Sequence, residues 1–296
     1  MVTRRQFLKQ LSLGMSAGVM GLTMPADSLF AMPSHNPAAE VLRIALLADS
    51  HLPNGNQLTS AARNLMAAVA QINALTPPVD LVLLAGDLTD HGDIETLLLG
   101  RTILLSLQAP FWLVPGERDR ITASRSPWYD IFGHSTFSFL HKGVHFCGFD
   151  TAVIDPGTGN RFFQFSTEQY RWLARELTYS SPETPLMILS HAPLYRLFRP
   201  WQWWTDQAES LHDLLLSREM VYLLHGHVHQ NIALRQGNLI FQGIRSTAWP
   251  QPDVRIGFQP VQPSSFEVEN HMGCGWLLLT INGNGNTTIE DRIWGV

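Results

Sequence analysis

VYLLHGHVH, residues 221–229, runs from a strand-like stretch into a glycine and two histidines at alternate positions. Val221 to Leu224 form a short apolar run of the kind found in strands covered on both faces. Gly226 marks the turn that ends it. Such a turn presents His227 and His229 together at the end of a strand, and imidazoles are common metal ligands.

The rest of the chain repeats this pattern. VLRIALLADSH (41–51), DLVLLAGD (80–87), FWLVPGE (111–117), VHFCGFD (144–150) and PLMILSHAP (185–193) are also apolar runs bounded by turn residues. Helical text lies between them. SAARNLMAAVAQINAL (60–75) reads as one helix. In STEQYRWLARELT (166–178), Ser166 and Gln169 fit a capping box, and Tyr170, Leu173, Ala174 and Leu177 recur at helical spacing. TDQAESLHDLLLSREM (205–220) repeats the spacing through Ala208, Leu211, Leu214 and Leu215. After residue 237 the text turns to strands, with a hairpin about Asn282 to Asn286. Strands alternating with helices predict a layered α/β fold, and no linker or repeat divides residues 41–296.

All but one of the runs end in residues that can bind cations: Asp49-Ser50-His51, Gly86-Asp87, Gly116-Glu117-Arg118-Asp119, Ser190-His191 and Gly226-His227-Val228-His229. In open α/β sheets ligands bind beyond the carboxyl ends of the strands, so these side chains are expected to converge on one rim. Carboxylates and imidazoles suit Mn, Fe or Zn. The absence of cysteine from the rim disfavours a structural zinc.

The order Asp-x-His, Gly-Asp, Gly-x-x-Asp, a single His and Gly-His-x-His resembles the calcineurin-like metallophosphoesterases over nearly all of residues 41–296. "LSHAPL", the helix before it and "VHFCGFDTA" are similar to the branch that includes cyclic-nucleotide phosphodiesterase-like proteins. The resemblance implies a four-layer α/β/β/α sandwich with two central mixed β-sheets. It also implies two divalent metal ions (Mn, Fe or Zn), one on Asp49, His51 and His229 and the other on His191 and His227, with Asp87 shared between them. Two cations about 3.5–4 Å apart generate a hydroxide nucleophile at neutral pH and clamp a phosphoryl group. The implied activity is hydrolysis of phosphate mono- or diesters of nucleotide, cyclic-nucleotide or phospholipid-head-group type. A purple acid phosphatase is set aside, because that group has a tyrosine where this chain has Asp90.

The third motif departs from the family, which has Asn-His where this chain has Glu117-Arg118. Glu117 can still ligate, whereas Arg118 can brace phosphate oxygens but cannot release a proton. Asp119 follows them as a further candidate catalytic residue. Two expectations follow: a preference for good leaving groups, or recruitment of another acid such as His91 or His225. A third alternative is that Glu117 and Arg118 neutralise each other, giving a one-metal or inactive relative that binds phosphate or nucleotide without turnover. Between the fourth and fifth motifs, Arg196, Arg199, Trp201, Trp203 and Trp204 form a candidate substrate lid or a packed loop.

The chain has 296 residues and a formal charge of −5, which gives no electrostatic footprint for a nucleic-acid backbone. Residues 1–31 combine a basic start, an apolar middle too short for a spanning helix and a small-residue end, the pattern of an export signal. Thr3-Arg4-Arg5-Gln6-Phe7-Leu8-Lys9 resembles the twin-arginine consensus. That predicts a folded protein handed to the twin-arginine machinery and released into the periplasm with no membrane span of its own. Its removal makes the chain more acidic. The two cysteines, Cys147 and Cys274, are expected either to pair in an oxidising compartment or to stay as buried thiols.

Overall fold

In the computed structural model, short apolar runs become strands and the amphipathic segments between them become helices. Residues 40–120, 126–197, 203–251, 273–282 and 286–294 are described. The segments proposed as an export signal, together with Arg199 and Trp201, lie outside them. In chain order the strands are β1 (Leu42–Leu47), β2 (Leu81–Ala85), β3 (Phe111–Val114), β4 (Phe137–His141), β5 (Val144–Gly148), β6 (Ala152–Ile154), β7 (Arg161–Phe163), β8 (Leu186–Ser190), β9 (Val221–His225), β10 (Ala233–Gln236), β11 (Leu239–Gly243), β12 (Gly275–Ile281) and β13 (Thr287–Ile293). The α-helices are α1 (Ser60–Asn73), α2 (Ile94–Leu104), α3 (Pro127–Ile131), α4 (Thr167–Glu176) and α5 (Ala208–Leu215).

The strands form two mixed sheets. One has the order β13-β12-β1-β2-β3 and the other β10-β11-β9-β8-β5-β4, while β6 and β7 pair separately. In the first, β1, β2 and β3 are parallel, with Ile44 opposite Leu81 and Val82 opposite Phe111. In the second, β5, β8, β9 and β11 are parallel and β4 and β10 close the edges antiparallel. The predicted hairpin is present as the antiparallel pairing of β12 with β13, with the Asn282 N–H donating to Asn286 O; residues 283–285 lie outside the described residues.

Period-two alternation explains the layers. Leu42, Ile44, Leu46, Leu81 and Leu83 point from the first sheet into a shared core with Phe146, Met187, Leu189 and Leu224 of the second. Ala45, Leu47, Val82 and Leu84 face the other way, against Ala62, Leu65 and Val69 of α1 and Ile103 and Leu104 of α2. On the far side, Cys147, Ile188 and Leu223 pack on Leu173 of α4 and on Leu211 and Leu215 of α5. The result is the expected four-layer α/β/β/α sandwich. Truncating a buried leucine in such a core costs about 2–5 kcal/mol.

The predicted capping box of α4 is complete: Ser166 Oγ accepts from the Gln169 N–H, and the Gln169 side chain accepts from the Ser166 N–H. Helix α2 is not evident from periodicity, because IETLLLGRTIL is apolar around most of its circumference. Its signal is instead local, an Asp93 N-cap that accepts from the Thr96 N–H. Both cysteines are buried free thiols, so the pairing alternative does not hold, and burial pushes each up to about 12.

Candidate metal centre

Candidate ligands from both sheets meet beyond the carboxyl ends of their strands. Asp49 and His51 follow β1, and His229 follows β9. His51 Nε2 lies 3.1 Å from His229 Nε2, which is 3.5 Å from Asp49 Oδ1. The outer nitrogens decide what the inner ones can do. His51 Nδ1 is 2.7 Å from Asp90 Oδ1, and His229 Nδ1 is 2.8 Å from the carbonyl oxygen of Trp249. Both partners are acceptors, so the network assigns the ring proton to Nδ1 and leaves a lone pair on each Nε2. Two lone pairs facing each other beside a carboxylate repel, and a cation among them satisfies all three.

The second group is Asp87 after β2, Glu117 after β3, His191 after β8 and His227 after β9. His191 Nδ1 donates to Ala85 O at 2.7 Å, which turns its Nε2 toward Glu117 Oε2 at 3.0 Å and Asp87 Oδ2 at 3.5 Å. His227 Nδ1 lies 3.2 Å from the same His191 Nε2. Asp87 Oδ2 is also 3.8 Å from His51 Nε2, so one carboxylate oxygen reaches both groups. Within each group the ligand atoms all lie within 4.8 Å of one another.

Electrostatics point the same way. Burial disfavours the charged form of His191, yet Asp87 and Glu117 raise its pKa well above the ordinary imidazole range. Burial likewise pushes Asp49 up, but His229, His191 and His51 outweigh it and hold the carboxylate low. Positive charge is favoured at both places. Among the described residues, the buried Glu117 Oε2 and His227 Nε2 have no hydrogen-bond partner. The donor set therefore fits two cations.

The backbone carries strain here. Asp49, His51, Asp87, His227 and His229 all have positive φ, between 46° and 64°. For non-glycine residues this costs about 1–3 kcal/mol each and persists only where the surroundings enforce it. The glycines beside them are needed for close approach. A Cβ on Gly226 would sit 2.7 Å from Asp49 Oδ2, and one on Gly116 would collide with Asp87 Oδ1.

A calcineurin-like phosphoesterase family model matches residues 42–231, which include all seven of these ligand candidates. This chain belongs to that family. It is a hydrolase of phosphoester bonds. Over 238 residues the phosphoesterase is 25% identical to a probable glycerophosphodiester phosphodiesterase from Arcobacter nitrofigilis, covering 76% of this chain and 85% of the relative. It is 27% identical over 258 residues to a 3',5'-cyclic-nucleotide phosphodiesterase from Nostoc sp., covering 84% and 92%. Its fold is similar to a dimetal phosphatase from Danio rerio, with a TM-score of 0.65 at 15% identity, covering 85% and 96%.

Three other predicted site residues lie around the two groups of ligands rather than within them. The backbone N–H of Arg118 donates to Asp87 Oδ1 at 2.9 Å, and its half-exposed guanidinium lies 3.8 Å from Glu117 Oε1. Asp119 is fully buried. Its carboxylate accepts from the N–H groups of Leu88, Thr89 and Gly116 and from the Thr89 hydroxyl, tying the Asp87 turn to the Glu117 turn. Burial, reinforced by Asp87, pushes it up to about 7. His225 is buried beside Tyr195, at a ring separation of 5.6 Å, and burial pushes it down to about 4.

His91 is an exposed loop residue. In the tryptophan-rich loop Arg196 pairs with Glu209 and Trp204 with Asp206, whereas the Trp203 ring lies 4.9 Å from that of His227. Sequence reasoning missed four other residues that touch the ligands: Asp90, Phe163, Ser246 and Trp249. Phe163 packs edge-on against His227 at 4.8 Å. Asp90 stood next to a recognised motif and could have been found. The other three are distant in sequence and carry no motif.

Proposed function

We propose that the phosphoesterase is a two-metal phosphodiesterase whose substrates are small diesters of the nucleotide or glycerol type. The observation that carries this reading is Asp87 Oδ2, placed 3.8 Å from one group's His51 and 3.5 Å from the other group's His191. Asp49, His51 and His229 would hold one divalent ion, Asp87, Glu117, His191 and His227 the other, and Asp87 would serve both. Bound there, the ions would activate water and neutralise phosphoryl oxygens.

The chain's own residues supply the rest. Arg118 presents a permanent positive charge at the rim, suited to bracing a phosphate oxygen. It cannot release a proton to the leaving group, and its neighbour Asp119 acts by positioning. His225, neutral and buried, is poorly placed to replace the missing acid. The reading therefore favours esters whose leaving group needs no protonation. Glu117 can serve Arg118 and a cation at once, because Oε1 faces the guanidinium while Oε2 faces His191. This favours an active enzyme over a neutralised, one-metal relative. The diester class is supported by the two relatives, one named for glycerophosphodiesters and the other for cyclic nucleotides.

The Arg4-Arg5 segment supports a further part of the reading, export through the twin-arginine pathway to the periplasm. Folding before export would let the protein take its metals in the cytoplasm, which makes Mn or Fe as suitable as Zn.

The test is elemental analysis of the purified protein together with a screen of phosphomonoesters, phosphodiesters and cyclic nucleotides, using a chelator-stripped sample as control. Two metal equivalents and turnover of diesters are expected. One equivalent or none, with phosphate binding but no turnover, would overturn the reading.

A further inference from the structure

The first group of ligands is enclosed by a turn that lies beyond the region matched by the family model. Ser246, Thr247, Ala248 and Trp249 are all buried. Ser246 Oγ donates to the carbonyl oxygen of Asp49 at 2.7 Å and accepts from the N–H groups of Ala248, at 2.9 Å, and Trp249, at 3.2 Å. Thr247 adds a side-chain hydrogen bond to Ser50 at 3.1 Å, and its N–H donates to Ala48 O. One short turn is thus fastened along the whole segment that carries Asp49.

Trp249 then reaches the other two ligands. Its carbonyl oxygen accepts from His229 Nδ1, and its ring lies 4.1 Å from the His51 ring and 4.9 Å from the His229 ring. Trp249 is 6% exposed, and among the described residues its Nε1–H has no hydrogen-bond partner. Its contacts with the two imidazoles are therefore packing contacts that restrict how each ring can turn. A metal-binding imidazole gains affinity when its orientation is fixed in advance, and groups that do this typically contribute 10- to 100-fold.

We infer that Trp249 is the positioning residue of the first metal site, setting its affinity through ring contact with His51 and His229 on a turn pinned to Asp49 by Ser246. This inference rests on the two-metal reading above. Among the described residues, none combines ring and carbonyl contacts in this way at the second group. The Phe163 ring lies 5.9 Å from that of His191 and 4.8 Å from that of His227, but its carbonyl oxygen accepts from the Asp206 N–H and fastens neither imidazole, and the Trp203 ring lies against His227.

The test is calorimetric titration of chelator-stripped full-length protein with Mn²⁺, the first site being identified by its loss in His229→Ala. Trp249→Ala is expected to weaken the first site about 10- to 100-fold and leave the second within about threefold. Trp249→Phe, which keeps an aromatic ring, is expected to recover most of the loss. Equal weakening of both sites, or of neither, would overturn the inference while leaving the two-metal reading intact. A wild-type protein that takes up no metal would overturn both.

Should Trp249→Ala fail to fold, tryptophan emission replaces it. In a Trp203→Phe background, filling the first site is expected to change the emission, and adding Trp249→Phe is expected to abolish that change. A change that persists would overturn the inference.

Discussion

The two groups of candidate ligands meet at Asp87, 3.8 Å from His51, but are built differently. In the first, every imidazole has a fixed outer partner, Asp90 for His51 and Trp249 for His229, and one carboxylate, Asp49, belongs to it alone. In the second, His191 is anchored on Ala85, but His227 Nε2 has no partner among the described residues, and two carboxylates, Asp87 and Glu117, face the imidazoles. One half relies on orientation and the other on negative charge. Preorganised neutral ligands and a more anionic, less constrained set should respond differently to mutation.

The largest effect should come from the residue that erases the distinction. Asp87→Ala is expected to lower metal content at both positions and reduce kcat/KM by about 10³-fold or more, since the paired ions supply several kcal/mol of transition-state stabilisation. Metal analysis and hydrolysis of an aryl phosphodiester would check it. An effect confined to one ion would show that the carboxylate does not bridge.

Glu117→Gln sharpens the contrast. It keeps the shape and removes the charge, so the second site alone should weaken, by about 10- to 100-fold or roughly 1.4–2.8 kcal/mol. A titration with two resolved sites would measure it, and loss at the first site would count against the division drawn here. Asp119→Asn should act through the backbone. With its four donors only partly re-satisfied, stability is expected to fall by about 1–3 kcal/mol in chemical denaturation, with metal affinity lost mainly at the second site, because the turns it joins carry Asp87 and Glu117.

The smallest effect is expected at the thiols. Cys147 and Cys274 should resist alkylation in the native protein, react once it is unfolded, and leave activity unchanged when replaced by alanine or serine variants that fold. Rapid labelling of native protein would contradict their burial.

Much of this architecture was legible because the ligands sit where strands stop, and a strand's end is marked by a change from apolar to polar text. Asp49, Asp87, His191 and His229 each follow such a change. The alternation of Leu42, Ile44 and Leu46 with Ala45 and Leu47 made the layering readable in the same way. What stayed hidden depends on distance in the chain. Trp249 contacts His51 across almost two hundred positions, and nothing in either local sequence signals the contact. Asp119 was singled out for its charge, but its burial and its four donors could be seen only in three dimensions. Helix α2 escaped because its isoleucines and leucines are spread around the helix and mark no single face.

Each candidate cation site draws residues from both sheets: Asp49 and His51 with His229, and Asp87 and Glu117 with His191 and His227. Filled, the centre would therefore act as a pair of rivets through the sandwich, resisting any sliding of one sheet over the other at that end. Since a ligand that binds only the folded chain stabilises it by mass action, chelation should lower the melting temperature as well as abolish turnover, and hydrogen exchange should quicken first at the riveted edge.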